Sequence, residues 1–450
     1  MILGPGEKLA LGLFVERDGK LYQSGHTDLA DPLPTGVSVA WASPDERIAT
    51  VDSSNTLTAV APGHVVLRGF AAGAADSFSL VVRGATAATR SFVSVAGGGS
   101  HVCALGVDRM VYCWGNDWSG QLGSGVLRKY TVTAAPNRVV VLRSAQAISA
   151  GTNHTCALDD FGVVWCWGDG RFGQVKPGTS GVYATPVSIS LAETVIAVSA
   201  GGDHTCAMGV TGRIACWGRG TGAFAWLQSP GERFVEVSSG YNHSCAVDNV
   251  GRAYCWGNND EGQLGLGDRM GRSLPTPIRS NERYRAVSAG TRYTCGVTAP
   301  GEGRCWGLGD GGILGSGEFL STSVPTAVRN VGDFVQISAG TRHTCGVVAS
   351  GAAYCWGLDD RGQLGDGGST TPFPILSDLI RPEPVRVMSD VLFSRISAAS
   401  GDHSCAVSRL ATLYCWGNNA RGAIGIGRLG GVEAWQPTSI ESTEPVRSVP

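Results

Sequence analysis

The stretch HTCALDDFGVVWCWGDG, His154 to Gly170, decides how this chain is read. Cys156 and Cys166 stand ten positions apart around a turn-like Asp159–Gly162, and Trp-Gly follows the second cysteine. The figure occurs seven times and uses all 14 cysteines. The pairs are Cys103 with Cys113, Cys156 with Cys166, Cys206 with Cys216, Cys245 with Cys255, Cys295 with Cys305, Cys345 with Cys355, and Cys405 with Cys415. Successive units start 53, 50, 39, 50, 50 and 60 residues apart, whereas the spacing inside each pair never changes. Something rigid and local fixes those ten positions.

One unit supplies the rest. YRAVSAG (Tyr284–Gly290) and FVQISAG (Phe334–Gly340) read as short strands ending in a small-residue turn, and HSCAVDNVGRAYCWG (His243–Gly257) as two strands around a Gly turn. NNDEGQLGLG (Asn258–Gly267) is a Gly-rich loop, and PTPIRS (Pro275–Ser280) an edge-like last strand. Four short strands per unit is the make-up of a propeller blade, so seven units predict a seven-bladed ring with almost no helix.

Directly opposed residues at a non-hydrogen-bonded site of a hairpin lie about 4.5–5.5 Å apart, within reach of a disulfide. The spacing therefore predicts seven hairpin disulfides, each closing a short loop and contributing roughly 2.5–3 kcal/mol. The reading set beside this is fourteen free buried cysteines acting as small hydrophobes. Disulfides at such density predict an oxidising compartment. The opening MILGPGEKLALGLFVERDGK has no basic region and cleavage site of a signal peptide, so the expectation is a leader already removed.

Composition narrows the function. Lys and Arg total 35 against 37 Asp and Glu, with no basic stripe of the kind that holds nucleic acid. No apolar run reaches the roughly 18 residues of a membrane span. The 66 glycines suit many tight turns.

Residues 1–83 hold no cysteine. VSVAWASPDERIATVDSSNTLTAVAPGHVVLRGFAA (Val37–Ala72) alternates like several short strands, predicting a small β-sandwich with Trp41 and Val51 in its core. Residues 84–91 read as a linker, and 92–450 as the propeller.

The repeated Gly-x-x-His-Thr-Cys-Ala-Leu … Cys-Trp-Gly-Asn … Gly-Gln-Leu-Gly resembles the repeat of the regulator of chromosome condensation superfamily, from residue 91 to about 445. GQLG stands at Gly120–Gly123, Gly262–Gly265 and Gly362–Gly365, is degraded at Gly173–Lys176, Gly312–Gly315 and Gly422–Gly425, and is lost in the shorter third unit (GRGTGAFAWLQS, Gly218–Ser229). The resemblance implies a seven-bladed propeller. It leaves function open among nucleotide-exchange factors, a photoreceptor, an enzyme inhibitor and bacterial surface proteins. The added cysteine pairs look like a secreted bacterial branch. The photoreceptor carries Trp where Thr341 stands, so light sensing is not implied. VAWASPDERIATVDSSNTLTAVAPG, with Trp41, Ala49, Val51, Asp52 and Gly63, resembles a group 2 bacterial immunoglobulin-like domain, which implies a surface protein.

His101, His154, His204, His243, His343 and His403 each stand two before a first cysteine. A zinc reading of His-x-Cys is set aside, because Tyr293 replaces the histidine in the fifth unit and Cys-x9-Cys is not a zinc spacing. The histidines are expected to hydrogen-bond a neighbouring blade's turn. The seven Trp of Cys-Trp-Gly are expected between blades. Trp118, Trp165, Trp226 and Trp435 lie off the repeat and are the candidate contact residues. No nucleophile elbow, phosphate loop, zinc-protease motif or calcium loop occurs, so neither catalysis nor a cofactor or metal is expected.

The expectation is an extracellular or cell-surface, non-enzymatic binding or adhesion scaffold using one propeller face. Its partner would be a protein or surface glycan. Alternatives are a subunit of a surface layer or fibre, with the strand-like tail EPVRSVP (Glu444–Pro450) adding to a neighbour or closing the ring, and an exchange-factor-like or enzyme-inhibiting propeller.

Overall fold

A computed structural model of the chain describes residues 90–127, 131–221, 225–227, 232–368, 379–427 and 434–440 of a larger unit, and in a smaller unit the strands given below with residues 43 and 46. The two compact units are Met1–Ala88 and Thr89–Pro450.

In the smaller unit, Gly63–Ala71 pairs antiparallel with Ala74–Val82 and with Val39–Ala42, and Ile2–Leu3 adds in parallel. Lys8–Ala10, Thr56–Ala59 and Ala49–Val51 form a second sheet, and Phe14–Arg17 with Lys20–Gln23 a hairpin. Ala49 is buried and Val51 half-buried. The Trp41 side chain and Asp52, both singled out above, lie outside the described residues.

The larger unit is an all-β, seven-bladed propeller. Each blade is a four-stranded antiparallel meander whose strands, here a to d from the axis outward, follow one another in the chain. In the second blade they are Ala147–Ala150, His154–Leu158, Val164–Asp169 and Val182–Ile189. Each of the seven described sheets is built from consecutive strands, so closure uses no borrowed strand. The tail Glu444–Pro450 lies outside the described residues. Among the described residues, a 3-10 turn at Asp310–Gly312 interrupts the β structure.

The b–c hairpin brings the cysteines together, because strand pairing sets Cys156 directly opposite Cys166. The same register places Cys103 against Cys113, Cys206 against Cys216 and Cys245 against Cys255. It also places Cys295 against Cys305, Cys345 against Cys355 and Cys405 against Cys415. All seven pairs are disulfides with Cα atoms 4.0–4.1 Å apart. That separation is slightly closer than the general hairpin value given above, and no cysteine is left free. The alternative of fourteen buried thiols is therefore not what the structure holds.

The glycine after each tryptophan has a reason too. Gly168 has φ 104°, and a Cβ there would sit 2.6 Å from the Asn153 carbonyl oxygen. One strand is displaced from expectation: strand d of the fourth blade is Arg272–Pro277 rather than 275–280. Past Pro277 the chain turns inward, burying Ile278 beside Trp306.

The core is divided among the blade junctions. Between the first and second blades, Leu105, Val111 and Leu122 pack with Ala157 and Trp167. At the closing junction, Phe92 and Trp114 pack with Val407, Leu413 and Ile424. Each sheet thus buries both faces against neighbours, which a lone blade cannot do.

Candidate functional site

Three hydrogen-bonded systems join the blades, and they account for most residues that invite a chemical reading. Trp167 Nε1 and Thr155 Oγ1 both donate to the Gln121 carbonyl of the preceding blade, at 2.9 and 3.0 Å. Because the Thr155 hydrogen is committed there, its oxygen accepts from His101 Nε2, 2.9 Å away. The arrangement recurs with His154, Thr205 and Gln174, with His243, Thr294 and Gln263, and with His343, Ser404 and Gln363. Five of the six histidines, all but His403, therefore bond a neighbouring strand's hydroxyl rather than the turn expected from sequence. In the fifth blade Tyr293 reaches the Thr344 hydroxyl at 2.8 Å in the histidine's place.

Burial holds these imidazoles neutral. The pKa of His101, His154, His243 and His343 is lowered to about 3, and that of His204 and His403 to about 4. No group of three or more metal-ligating side chains is present among the described residues.

The second system is a collar around the axis. Ser149 Oγ accepts the Ala200 N–H of the next blade at 2.9 Å, and Ser199, Ser238, Ser288, Ser338 and Ser397 do likewise. These serines line a central cavity of about 200 Å³, but their hydroxyls already stitch the ring. The third is a clasp between a-strands: the Gln336 amide accepts from Ile396 N and donates to Ile396 O. Glu236 occupies the equivalent place two blades earlier and accepts from Val287 N at 3.1 Å. Burial pushes its pKa up to about 8.

The first blade lacks both hydroxyls. Val102 stands at the Thr155 position and Ala96 at the Ser149 position. His403, whose partner would be residue 102, has a buried Nε2 with no hydrogen-bond partner.

What remains for contact is the surface at the ends of the meanders. The a–b turns and c–d loops share one end, and the b–c turns and d–a connections share the other. On the c–d loop face, Trp118 is 42 % exposed with the Arg421 guanidinium 3.8 Å over its ring. Phe172, also 42 % exposed, carries Arg219 at 3.5 Å. Arg219 also pairs with Asp203 at 3.4 Å, and Arg342 with Asp402 at 3.0 Å. The c–d loop face is thus a ledge of aromatic rings braced by arginines. Sequence reasoning missed Phe172, because it stands within the degraded repeat rather than off it.

The other tryptophans are distributed differently. Trp165 is half-buried and donates to Asp159 Oδ2 at 2.9 Å. Trp226 lies on the short outer strand Ala225–Leu227, with Arg213 5.2 Å from its ring. Trp435 stands on Ala434–Ser439, and its side chain lies outside the described residues.

A seven-bladed ring of these repeats defines a class, and comparison with known proteins agrees. The RCC1-like domain matches residues 73–381 and the regulator of chromosome condensation (RCC1) repeat residues 395–423. The chain belongs to the RCC1-like domain family. It is 33 % identical over 84 residues to the guanine nucleotide exchange factor SRM1 of Saccharomyces cerevisiae, covering 19 % of this chain and 17 % of that one. It is 34 % identical over 107 residues to the ultraviolet-B receptor UVR8 of Arabidopsis thaliana, covering 23 % and 24 %. The matched segments thus span under a quarter of these relatives. The fold is that of the crystal structure of Prp20p from Saccharomyces cerevisiae, with TM-score 0.66 and 22 % identity over 78 % of this chain and 87 % of that one. It is also that of human WBSCR16, with TM-score 0.65 and 21 % identity over 74 % and 93 %.

Proposed function

We propose that the protein is a non-enzymatic binding scaffold of an extracellular or cell-surface compartment, engaging a protein or surface glycan through its c–d loop face. The observation that carries the compartment is the seven disulfides, which use every cysteine. A ring joined at every junction supplies rigidity, and the loops it holds are where binding groups usually sit. Trp118 and Phe172, with their stacked arginines, are the groups we assign to contact. The domain division is residues 1–83, 84–91 and 92–450, the first an immunoglobulin-like module. Its support is the pair of small sheets within Met1–Ala88.

Nucleotide exchange on a GTPase is the second reading. It rests on the similarity to SRM1, and the structure of Prp20p was described together with that protein's binding to Gsp1p and histones. A fully cystine-bonded ring weighs against it, because the cytosol keeps thiols reduced.

The test combines mass and binding. Protein from its natural source should gain two hydrogens per bridge on reduction, and labelled protein should bind the surface of its source cells. Trp118→Ala with Phe172→Ala should abolish that binding, while Phe161→Ala with Leu410→Ala, on the opposite face, leaves it intact. Freely alkylated thiols in native protein would overturn the compartment. Equal loss from both faces would overturn the site.

A further inference from the structure

The axial cavity of about 200 Å³ is a funnel that opens on the c–d loop face. Residues just past strand a, Thr152, Gly202, Tyr241, Thr291 and Ser400, form its rim, and the serine collar forms its wall. Among the described residues no charged side chain lines it. Its chemistry is that of hydroxyls and main chain.

Two features of the wall point to a ligand. The first is the collar itself. Each collar serine gives a lone pair to the next blade's N–H, as Ser149 does for Ala200 and Ser288 for Ala339, and donates to no residue among those described. A hydroxyl carries one hydrogen and two lone pairs, so the ring of O–H donors is uncommitted after the stitching is complete. The second feature lies in the fourth blade. Ser239 stands where the second, third, fifth, sixth and seventh blades have alanine and the first has Gly97. It lines the funnel, and its buried hydroxyl has no hydrogen-bond partner among the described residues. Two positions on, Tyr241 is 40 % exposed and is the one aromatic residue among those described that line the funnel. Its ring rests on the third blade's turn, where Gly202 makes room: a Cβ there would lie 2.7 Å from Tyr241 Cδ2.

We infer that the funnel binds one neutral sugar ring, the terminal pyranose of a surface glycan. A pyranose has an apolar C–H face, which stacks on Tyr241, and a girdle of hydroxyls, which accept from the collar and from Ser239. With no lining charge, a phosphate, carboxylate or ammonium ligand would lose its water without compensation. The volume, below the roughly 300 Å³ at which drug-sized sites begin, admits one ring and not a longer chain. The inference rests on the cell-surface reading and gives its glycan branch a site, while the Trp118–Phe172 ledge meets what carries the sugar.

The test titrates the full chain with free D-glucose, D-galactose, D-mannose and N-acetyl-D-glucosamine, and with D-glucuronate as the charged counterpart, by saturation-transfer NMR and calorimetry. At least one neutral sugar should bind saturably through its C–H face, and glucuronate should not. Tyr241→Ala, at an exposed position, should weaken that binding about tenfold, whereas Tyr241→Phe, which keeps the stacking face, should leave it near the parent value. Ser239→Ala copies the other blades, so it should leave the melting temperature no lower and still weaken sugar binding about fivefold. The inference falls if none of the four neutral sugars binds or if glucuronate binds equally. Indifference to either alanine variant also overturns it. The ledge is read separately, because Trp118→Ala with Phe172→Ala should leave free-sugar binding unchanged. Cell binding without free-sugar affinity therefore sinks the funnel alone, and free-sugar affinity without cell binding sinks the ledge alone.

Discussion

Trp167 of the second blade hands its indole proton to the Gln121 carbonyl of the first at 2.9 Å, across 46 residues of chain. That bond is made only when two blades stand in register, so it belongs to the assembled ring rather than to either hairpin. Trp167→Phe keeps most of the buried ring and leaves the carbonyl short of one donor. The expected loss is about 1–2 kcal/mol, read as a lower denaturant midpoint. An unchanged midpoint would contradict the assignment.

Val102→Thr should stabilise the ring, against the usual penalty for a hydroxyl in a core. Val102 is fully buried at the position where Thr155 accepts from His101, and His403 Nε2 lacks that partner at the closing junction. The new hydroxyl would accept from His403 and donate toward Ala423 O, which already holds Trp114. A gain of about 1 kcal/mol is expected. Destabilisation would show that the closing junction does not share the geometry of the others.

Acid should weaken the protein well before its carboxylates protonate. The six histidines are neutral when folded, with pKa values of about 3 to 4 against 6.5 unfolded. Below pH 6.5 the unfolded chain takes up protons that the folded one refuses, so stability falls as pH drops from there toward 4. Each histidine contributes about 1 kcal/mol per pH unit in that window. Melting temperature followed from pH 7 to 5 should drop steeply, and a flat profile would refute the neutral ring.

Glu236 works in the opposite direction. Its carboxyl, raised from 4.5 to about 8, is protonated in the fold and ionised in the unfolded chain between those values. Stability from this group therefore falls as pH rises from 4.5 to 8. Glu236→Gln copies the Gln336 clasp, in which the amide nitrogen donates to Ile396 O, and should stabilise more at pH 8 than at pH 5. A variant whose benefit is the same at both pH values would show that Glu236 is already ionised.

Much of this was legible in the chain. The constant Cys-x9-Cys spacing specified opposed cysteines in a hairpin, because strand pairing places residues at that separation face to face wherever the hairpin sits. Strand d of the fourth blade was misplaced because Pro275 and Pro277 mark an edge without marking where it begins. Phe172 and the two stacked arginines were not legible, since an aromatic ring and a guanidinium in different blades have no shared sequence period.

By itself, then, the sequence determined the hairpins, their glycine turns, the cystine pairs and the number of blades, all interactions spanning roughly a dozen residues or fewer. Only the tertiary structure decided which groups each histidine, tryptophan and serine would meet. It also decided that the first blade lacks two of them. Those partners sit some 40 to 60 positions away in most cases, or 309 for Trp114 and Ala423. Their distances are set by ring closure, a property of seven sheets packed together that no single repeat contains.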